Sequence, residues 1–491
     1  MTIFGRELRS AATAIPGLTV WELPVHGDAR GWFKENWQRE KMLAAGLPDF
    51  APAQNNISFN DALGVTRGIH AEPWDKFVSV AAGRIFGAWV DLREGPTFGA
   101  VVTAEIDAGR AVFVPRGVGN AYQTLEPGTA YSYLVNEHWS ADASYTFLNL
   151  ADETAAIDWP IPLAQAVISE KDRGHPRLPA VRPIPARKTV VLGAGGQLGR
   201  ALRSEFGGDS RFDFADRADI DLGVSDLASA RRWSDYDTVI NAAAYTAVDA
   251  AETAEGRRAA WAANVIGVGA LARICTEHRL TLVHVSSDYV FDGTLQRPYR
   301  EDDPVCPLGV YGQTKAAGDA IVAQVPRHYI LRTSWVIGDG ANFVRTMADL
   351  AQRSIAPEVV DDQIGRLTFT SEIARVIRHL VESSAPYGLY NVTGGGDPAS
   401  WYEIARAVFE ACGQDPARVT PVSTEQYVAQ TAEKARAAGH PASPIAPRPR
   451  NSALDLTKIA AAGVAPGDWR AGLSSYCARL SSPERRRDQQ I

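Results

Sequence analysis

Three side chains in the second half of the chain have the types and spacing of a carbonyl-reducing set. Ser287 closes the stretch Val285-Ser286-Ser287-Asp288, and Tyr311 and Lys315 follow in Tyr-Gly-Gln-Thr-Lys, one helical turn apart. Reducing a ketone requires a proton at the developing alkoxide. A free phenol, with a pKa of about 10, is a poor acid–base group near neutrality. A lysine one turn away is expected to lower that pKa, while a serine hydroxyl hydrogen-bonds the carbonyl oxygen. Upstream, Gly193-Ala-Gly-Gly196-Gln197-Leu198-Gly199 follows the apolar residues 189–192. Such a turn brings backbone N–H groups to a pyrophosphate at a helix N-terminus. Leu198 stands where G-x-G-x-x-G wants its last glycine, so the turn alone also fits an ordinary strand–helix junction.

The first half carries a different chemistry. His70 ends Arg67-Gly-Ile-His70 in a β-rich stretch. A histidine, with a pKa of about 6.5, suits removal of a proton α to a ketone, and a buried carboxylate can orient the ring. A lysine at the oxygen can stabilise the enolate. A lone histidine also fits a core residue bonded to a backbone carbonyl. Two positions on stands Glu72 rather than a second histidine, so no cupin-type metal is expected.

Two sets of elements must position these groups. Residues 77–80, 84–92, 100–106 and 111–115 read as short strands separated by turn residues, with helical patterning confined to residues 39–45. Strands at this spacing suggest an antiparallel sandwich or barrel. Proline then recurs through residues 177–187, which reads as an extended spacer. Beyond it, strand-like residues 189–192, 238–241, 281–285 and 329–332 alternate with helical stretches such as 256–279 and 311–324. That alternation implies βαβ units and a parallel sheet. The expected division is an all-β domain over residues 1–178, a linker over 179–187, a Rossmann-type α/β domain over 188–480 and a flexible tail over 481–491.

A chain of 491 residues is too long for one core. Its net charge of −7 gives no reason to expect nucleic acid. Four cysteines, at 275, 306, 412 and 477, form no CxxC pair and suggest neither zinc nor a disulfide framework. No apolar run reads as long enough to span a bilayer, and no signal-type segment opens the chain. A reduced, cytoplasmic protein is expected.

The second half resembles the dTDP-4-dehydrorhamnose reductases, extended short-chain dehydrogenases/reductases. The resemblance rests on NAAAYTAVDAAE at 241–252, SSDYVFDG at 286–293, VYGQTK at 310–315, RTSWV at 332–336, DDQIGRLT at 361–368 and RPRNSALD at 448–455. It implies catalytic Ser287, Tyr311 and Lys315, and a dinucleotide lined by Gly193, Gly196, Gln197, Leu198, Asp221, Ala242 and Ala243 as well as by Tyr311 and Lys315. Asp288 and Trp335 would meet substrate, and a small C-terminal subdomain would complete the site. Asp213, Asp216 and Arg217 offer both acid and arginine for the ribose, which leaves NADH open; the resemblance leans to NADPH.

The first half resembles the dTDP-4-dehydrorhamnose 3,5-epimerases, metal-free jelly-roll cupins. It does so through GDARGWFKE at 27–35, RGIH at 67–70, PTFG at 96–99, IDWP at 157–160 and ISEKD at 168–172. The resemblance implies His70 as base, Asp152 as its partner, Tyr133 as acid and Lys76 as enolate stabiliser. Arg30, Glu35, Gln54, Asn56, Arg67, Asn120 and Lys171 would contact nucleotide or sugar, and the cupin domain would form a homodimer. Asn120 replaces the family's usual histidine, and Ala71-Glu72 replaces an aromatic-Gln pair. Together the halves imply epimerisation and then C4 reduction of a dTDP-4-keto-6-deoxyhexose to dTDP-L-rhamnose. The alternatives are another product, such as a 6-deoxy-L-talose nucleotide, and a non-catalytic nucleotide-binding regulator.

Overall fold

The computed structural model describes residues 7–481 apart from 142, 144, 225, 384 and 439–442. The expected tail, beyond residue 481, lies outside the described residues. The chain divides into two compact units, Met1–Ala186 and Arg187–Ile491.

The first unit is built from two antiparallel sheets. One runs Arg9–Ala12, Thr19–Glu22, Arg110–Val114, Lys76–Ala82, Thr129–Val135, Gln54–Asn60. The other runs Thr146–Phe147, Thr66–Ala71, Val118–Thr124, Ile85–Asp91, Val101–Ile106. Alternate side chains of a strand face opposite sides. Val78 and Val80 of one sheet therefore meet Ile85, Trp89, Val118 and Tyr122 of the other in a common apolar core. The short helix Arg39–Ala44 buries Met42 against Trp21 and Phe77.

Residues 179–187 are not the free spacer that their prolines suggest. Leu178, Val181 and Ile184 are buried in the first unit's core. The Ile184 N–H donates to the Leu92 carbonyl at 2.8 Å, and the Glu94 N–H donates to Ile184 at 2.9 Å. Proline stiffens the segment, but its apolar residues at every third position give it a face to bury.

The second unit is a parallel sheet, Phe212–Ala215, Lys188–Leu192, Tyr236–Asn241, Thr281–Ser287, His328–Thr333, Gly388–Asn391. Val190 and Leu192 point to one face, where Val268–Glu277 and Val310–Val322 pack. Val191 points to the other, against Gln197–Phe206 and Thr370–Glu382. Burial on both faces explains the near-continuous apolar strands. The chain's first strand of this sheet lies between its second and third, so the direction of winding reverses beside it, where open α/β sheets bind ligands. A further apolar cluster around Trp335, Ile404, Phe409 and Trp469 forms the C-terminal subdomain.

The helical run Ala254–Glu277 is, by length and composition, apolar enough to cross a bilayer, which the sequence reading did not anticipate. Its apolar content has a local cause: Leu271, Ile274 and Cys275 are core residues against the sheet.

A fragment ending at residue 186 is expected to melt cooperatively, and one ending at 177 to be several kcal/mol less stable. Each of Leu178, Val181 and Ile184 contributes about 1.5–3 kcal/mol when buried. Equal denaturant midpoints for the two fragments would show that the segment adds nothing.

Candidate active sites

In the first unit, His70 lies on Thr66–Ala71, half-buried. Its Nε2 is 3.0 Å from Asp172 Oδ1, across 102 positions of sequence. Asp172 belongs to the short helix Glu170–Arg173, and its Oδ2 accepts the Gly68 N–H at 3.3 Å. Burial pushes this carboxyl up, but the His70 hydrogen bond and charge, with the Gly68 N–H, hold it below the ordinary range. An ionised Asp172 requires the proton of neutral His70 on Nε2, which leaves the Nδ1 lone pair to act as base.

Asp152 is not that partner. Its Oδ1 accepts the Thr154 and Ala155 N–H groups at 3.0 and 2.8 Å, and its Oδ2 the Leu178 N–H at 2.7 Å. Three backbone donors make it the cap of a turn. Asp172 stands in the 168–172 stretch that carries the family resemblance, so the signal was there, on the neighbouring acid.

Asn120 faces His70 across the ladder. Its Oδ1 accepts from Trp89 Nε1 at 2.9 Å and from Tyr131 OH at 3.1 Å. This expected substrate contact is thus fixed internally, tying the two sheets together behind the base. The Tyr131 ring is 5.7 Å from that of Tyr133. Burial first, then the Glu72 charge, raises the Tyr133 phenol, which keeps it protonated. Buried Lys76 pairs with Glu72 and lies 5.9 Å from the Tyr133 ring centre. Lys76, Tyr133, Tyr131 and Asn120 thus form a connected series of side chains, and Asn120 stands opposite His70 in the strand register.

Other expected contacts lie further out. Arg30 is exposed on the hairpin Val25–Asp28/Gly31–Lys34 and pairs with Asp28 at 2.5 Å. Glu35 pairs with Lys41 at 2.5 Å. Gln54 and Asn56 share the edge strand, 2.7 Å apart, and Arg67 donates to Asn60 at 3.2 Å. Exposed Lys171 lies 5.6 Å from the Phe147 ring centre.

In the second unit a cavity of about 770 Å³ opens at the carboxyl ends of the strands. Gly193, Gly196, Gln197 and Leu198 line it, as do Asp221, Ala242 and Ala243, Ser287 and Asp288, Tyr311 and Lys315, and Trp335. Gly193 has φ +76°, and a Cβ there would meet the Ala243 backbone at 2.8 Å. A Cβ on Gly199 would meet the Gly193 carbonyl at 2.2 Å. These glycines let the helix Gln197–Phe206 start hard against the strand end, its free N–H groups at the cavity. The odd spacing is therefore compatible with the close strand–helix approach that a nucleotide turn needs.

Of the ribose candidates, Asp213 is already used: it accepts from Arg231 at 2.9 Å and Tyr236 OH at 2.7 Å. Asp216 Oδ1 caps the Ala218 N–H at 2.8 Å. Arg217 lines the cavity and pairs with Asp221 at 2.9 Å.

Ser287 ends its strand with Oγ donating to Asp288 Oδ1 at 3.1 Å. Tyr311 and Lys315 lie on Val310–Val322. Burial outweighs the lowering of the phenol expected from the lysine. Burial, followed by the Asp288 charge, raises Tyr311. Lys315 is turned to other partners: Nζ donates to the Val285 carbonyl at 2.7 Å and lies 3.4 Å from His284 Nε2. Burial lowers Lys315 to about 8 and pushes Asp288 up to about 7. Tyr311 is thereby held as a phenol, the form that donates a proton to an alkoxide.

Asn264, which the sequence reading missed inside an apolar helix, sits on the π-helical turn Ala262–Gly267. Its Oδ1 accepts the Tyr245 N–H at 2.8 Å, and its Nδ2 donates to Thr314 Oγ1 at 3.1 Å. It joins the cavity loop to the helix that carries Tyr311 and Lys315; such π turns recur at functional sites. Trp335, at φ +46°, stacks on Trp401 with ring centres 3.7 Å apart and closes the cavity's far side.

Residues 12–180 match the family model of the dTDP-4-dehydrorhamnose 3,5-epimerases, and residues 187–482 match that of the RmlD substrate binding domain. An RmlC homolog from Streptococcus pyogenes is 52% identical over 177 residues, 35% of this chain and 89% of the relative. The dTDP-4-dehydrorhamnose reductase of Aggregatibacter actinomycetemcomitans is 38% identical over 305 residues, 59% of this chain and 97% of the relative. The Bacillus anthracis dTDP-4-dehydrorhamnose reductase, solved in complex with NADP, aligns with a TM-score of 0.52 at 29% identity, covering 60% of this chain and 99% of that one.

The chain belongs to both families. It joins an epimerase-family unit to a reductase-family unit.

In this fused epimerase–reductase, Asp172→Asn is expected to lower solvent deuterium exchange at C3 and C5 of the keto-sugar by about 10²- to 10⁴-fold. Asp152→Asn is expected to leave the exchange chemistry largely intact and to cost about 1–3 kcal/mol of stability instead. Proton NMR for exchange and denaturant melts for stability check both. The reverse pattern would return the partner role to Asp152.

Proposed function

We propose that one polypeptide performs two consecutive steps on a dTDP-4-keto-6-deoxyhexose. The first unit, which we read as a jelly-roll cupin, epimerises C3 and C5; the second reduces the C4 ketone, giving dTDP-L-rhamnose. The presence of two complete, separate proton-transfer sets on one chain, His70–Asp172 and Ser287–Tyr311–Lys315, supports this reading most strongly.

In the first step His70 Nδ1 removes the proton α to the ketone, and Asp172 holds the ring's tautomer and balances its new charge. The Lys76 ammonium stabilises the enolate oxygen. Tyr133, kept protonated by burial, returns a proton on the opposite sugar face. In the second step Ser287 hydrogen-bonds the C4 oxygen and Tyr311 donates its phenolic proton to it. Lys315, buried and held by the Val285 carbonyl, supplies the positive charge that stabilises the phenolate left behind.

The glycine cradle and the helix N-terminus fit a dinucleotide pyrophosphate, and Arg217 at the cavity suits a 2′-phosphate. NADPH, the cofactor we assign, supplies the hydride. The NADP complex of the Bacillus anthracis relative supports that choice.

We also propose that the cupin units pair into a homodimer. The edge strand Gln54–Asn60 exposes Ile57 and Phe59, and the hairpin Val25–Asp28/Gly31–Lys34 exposes Trp32 and Phe33. Gln54, Asn56, Arg30 and Glu35 lie on or beside these exposed elements, which places them to reach a partner's sugar site. None of the four cysteines is in a disulfide, in keeping with a cytoplasmic enzyme.

Tyr311→Phe is expected to abolish NADPH oxidation with the keto-sugar while leaving exchange at C3 and C5 intact. Loss of both in a folded variant would contradict two independent sites. Rising pH ionises Asp288 beside Tyr311 from about 7 and discharges Lys315 from about 8. Both changes oppose proton donation, so the reduction rate at saturating substrate falls as pH rises through that window. Asp288→Asn should delay the fall to about 8, read from NADPH oxidation against pH; a profile rising past that point would contradict these assignments.

A further inference from the structure

The epimerase mechanism uses one face of Asp172 and leaves a second buried histidine on the other. His175 follows the helix Glu170–Arg173 and is 8% exposed. Neither of its ring nitrogens completes a hydrogen bond, an uncommon state for a buried imidazole. Its Nε2 lies 3.7 Å from Asp172 Oδ1, the same oxygen that takes His70 Nε2 at 3.0 Å. One donor atom from each of His70, Asp172 and His175 falls within 4.8 Å of the others.

The cluster is held from behind. The His175 ring stacks on Phe147, with centres 4.8 Å apart, and meets the His70 ring at 5.3 Å. Asn149 Nδ2 donates to the Arg173 and His175 carbonyls at 2.8 and 3.0 Å, pinning the segment's backbone. A zinc ion bound tetrahedrally sits about 2.0–2.2 Å from nitrogen and oxygen ligands, so its donors are about 3.4 Å apart. The observed spacings bracket that value. His70, partly exposed, leaves one side of the cluster open to water for a fourth position.

We propose that His70, Asp172 and His175 form a binding site for a divalent transition metal of the zinc class, and that filling it switches the epimerase off. The site differs from the usual cupin one, which would need a second histidine where Glu72 stands, and Glu72 is paired with Lys76. Inhibition follows from the tautomer. Metal on Nε2 displaces the proton held toward Asp172, and the neutral ring then carries its proton on Nδ1. The ring neither gains nor loses charge, but the lone pair that removes the sugar's proton is gone. The metal sits behind the ring, on its Asp172 side, so it suppresses turnover rather than substrate binding.

The inference rests on His70 being the base, and the test separates the two. Full-length chain, stripped with EDTA, is titrated with Co²⁺ and with Zn²⁺. Tetrahedral Co²⁺ absorption bands are expected in the wild type and not in His175→Asn. Zinc is expected to lower kcat for C3 and C5 exchange at least about tenfold with KM little changed, while NADPH oxidation on pre-epimerised sugar, measured on the same chain, is unaffected. His175→Asn, which removes a ligand, should weaken zinc inhibition, relative to its own zinc-free rate, by more than the roughly 10- to 100-fold that losing a mere outer-shell partner costs. Equal zinc sensitivity in His175→Asn, inhibition acting on KM alone, or solvent-like Co²⁺ bands in the wild type would each overturn the proposal. If His175→Asn fails to fold by circular dichroism, the wild-type Co²⁺ spectrum and the kcat–KM split decide alone. Active exchange without a tetrahedral Co²⁺ spectrum would remove this site and keep the epimerase; the spectrum without exchange would do the reverse.

Discussion

The hydrogen bond between His70 and Asp172 sets what the first unit can do. A histidine on a β-strand has two usable nitrogens, and a hydrogen bond from one of them to an ionised acid fixes the tautomer and leaves the other free to act as a base. The carboxylate comes from a short helix far along the chain, so the sandwich must close before the base exists. Phe147 and the Asn120–Trp89–Tyr131 network then fix the ring's surroundings from either side. Asn120 in place of a histidine makes sense here: an amide oxygen takes two hydrogen bonds without bringing a further titrating group beside His70.

The second unit solves the opposite problem. In the proposed reduction the proton must stay on the phenol until an alkoxide forms, and burial favours that for Tyr311. The same burial makes Lys315 and Asp288 titrate near neutrality, so the low-polarity cavity controls all three groups at once. Lys315 keeps its place through the Val285 carbonyl, and the Arg332–Asp319 pair, 3.1 Å apart and buried, stabilises the next turn of its helix. Holding these groups in one helix and one strand end leaves little freedom for the reacting geometry.

The sequence made some parts of this legible and hid others for physical reasons. Strand–helix alternation marked the parallel sheet, because burial on both faces demands unbroken apolar strands. Ser287, Tyr311 and Lys315 were readable because they lie close along the chain. Asp172 was harder: nothing local distinguishes an acid that orients a base from Asp152, an acid that caps a turn. The spacer at 179–187 misled because proline density reports backbone stiffness, whereas Leu178, Val181 and Ile184 decide where the stiff segment lies. Asn264 was invisible, since a polar residue within an apolar helix shows its purpose only when Tyr245 and Thr314 stand beside it.

We propose that solvent protons enter at C3 and C5 in one unit and that a hydride enters at C4 in the other. Running the intact chain in D₂O with dTDP-4-keto-6-deoxyglucose and unlabelled NADPH tests it in one product. Deuterium at C3 and C5 with protium at C4, read by NMR of the deoxysugar nucleotide, is the predicted pattern. Protium retained at C3 or C5, or solvent deuterium at C4, would contradict it.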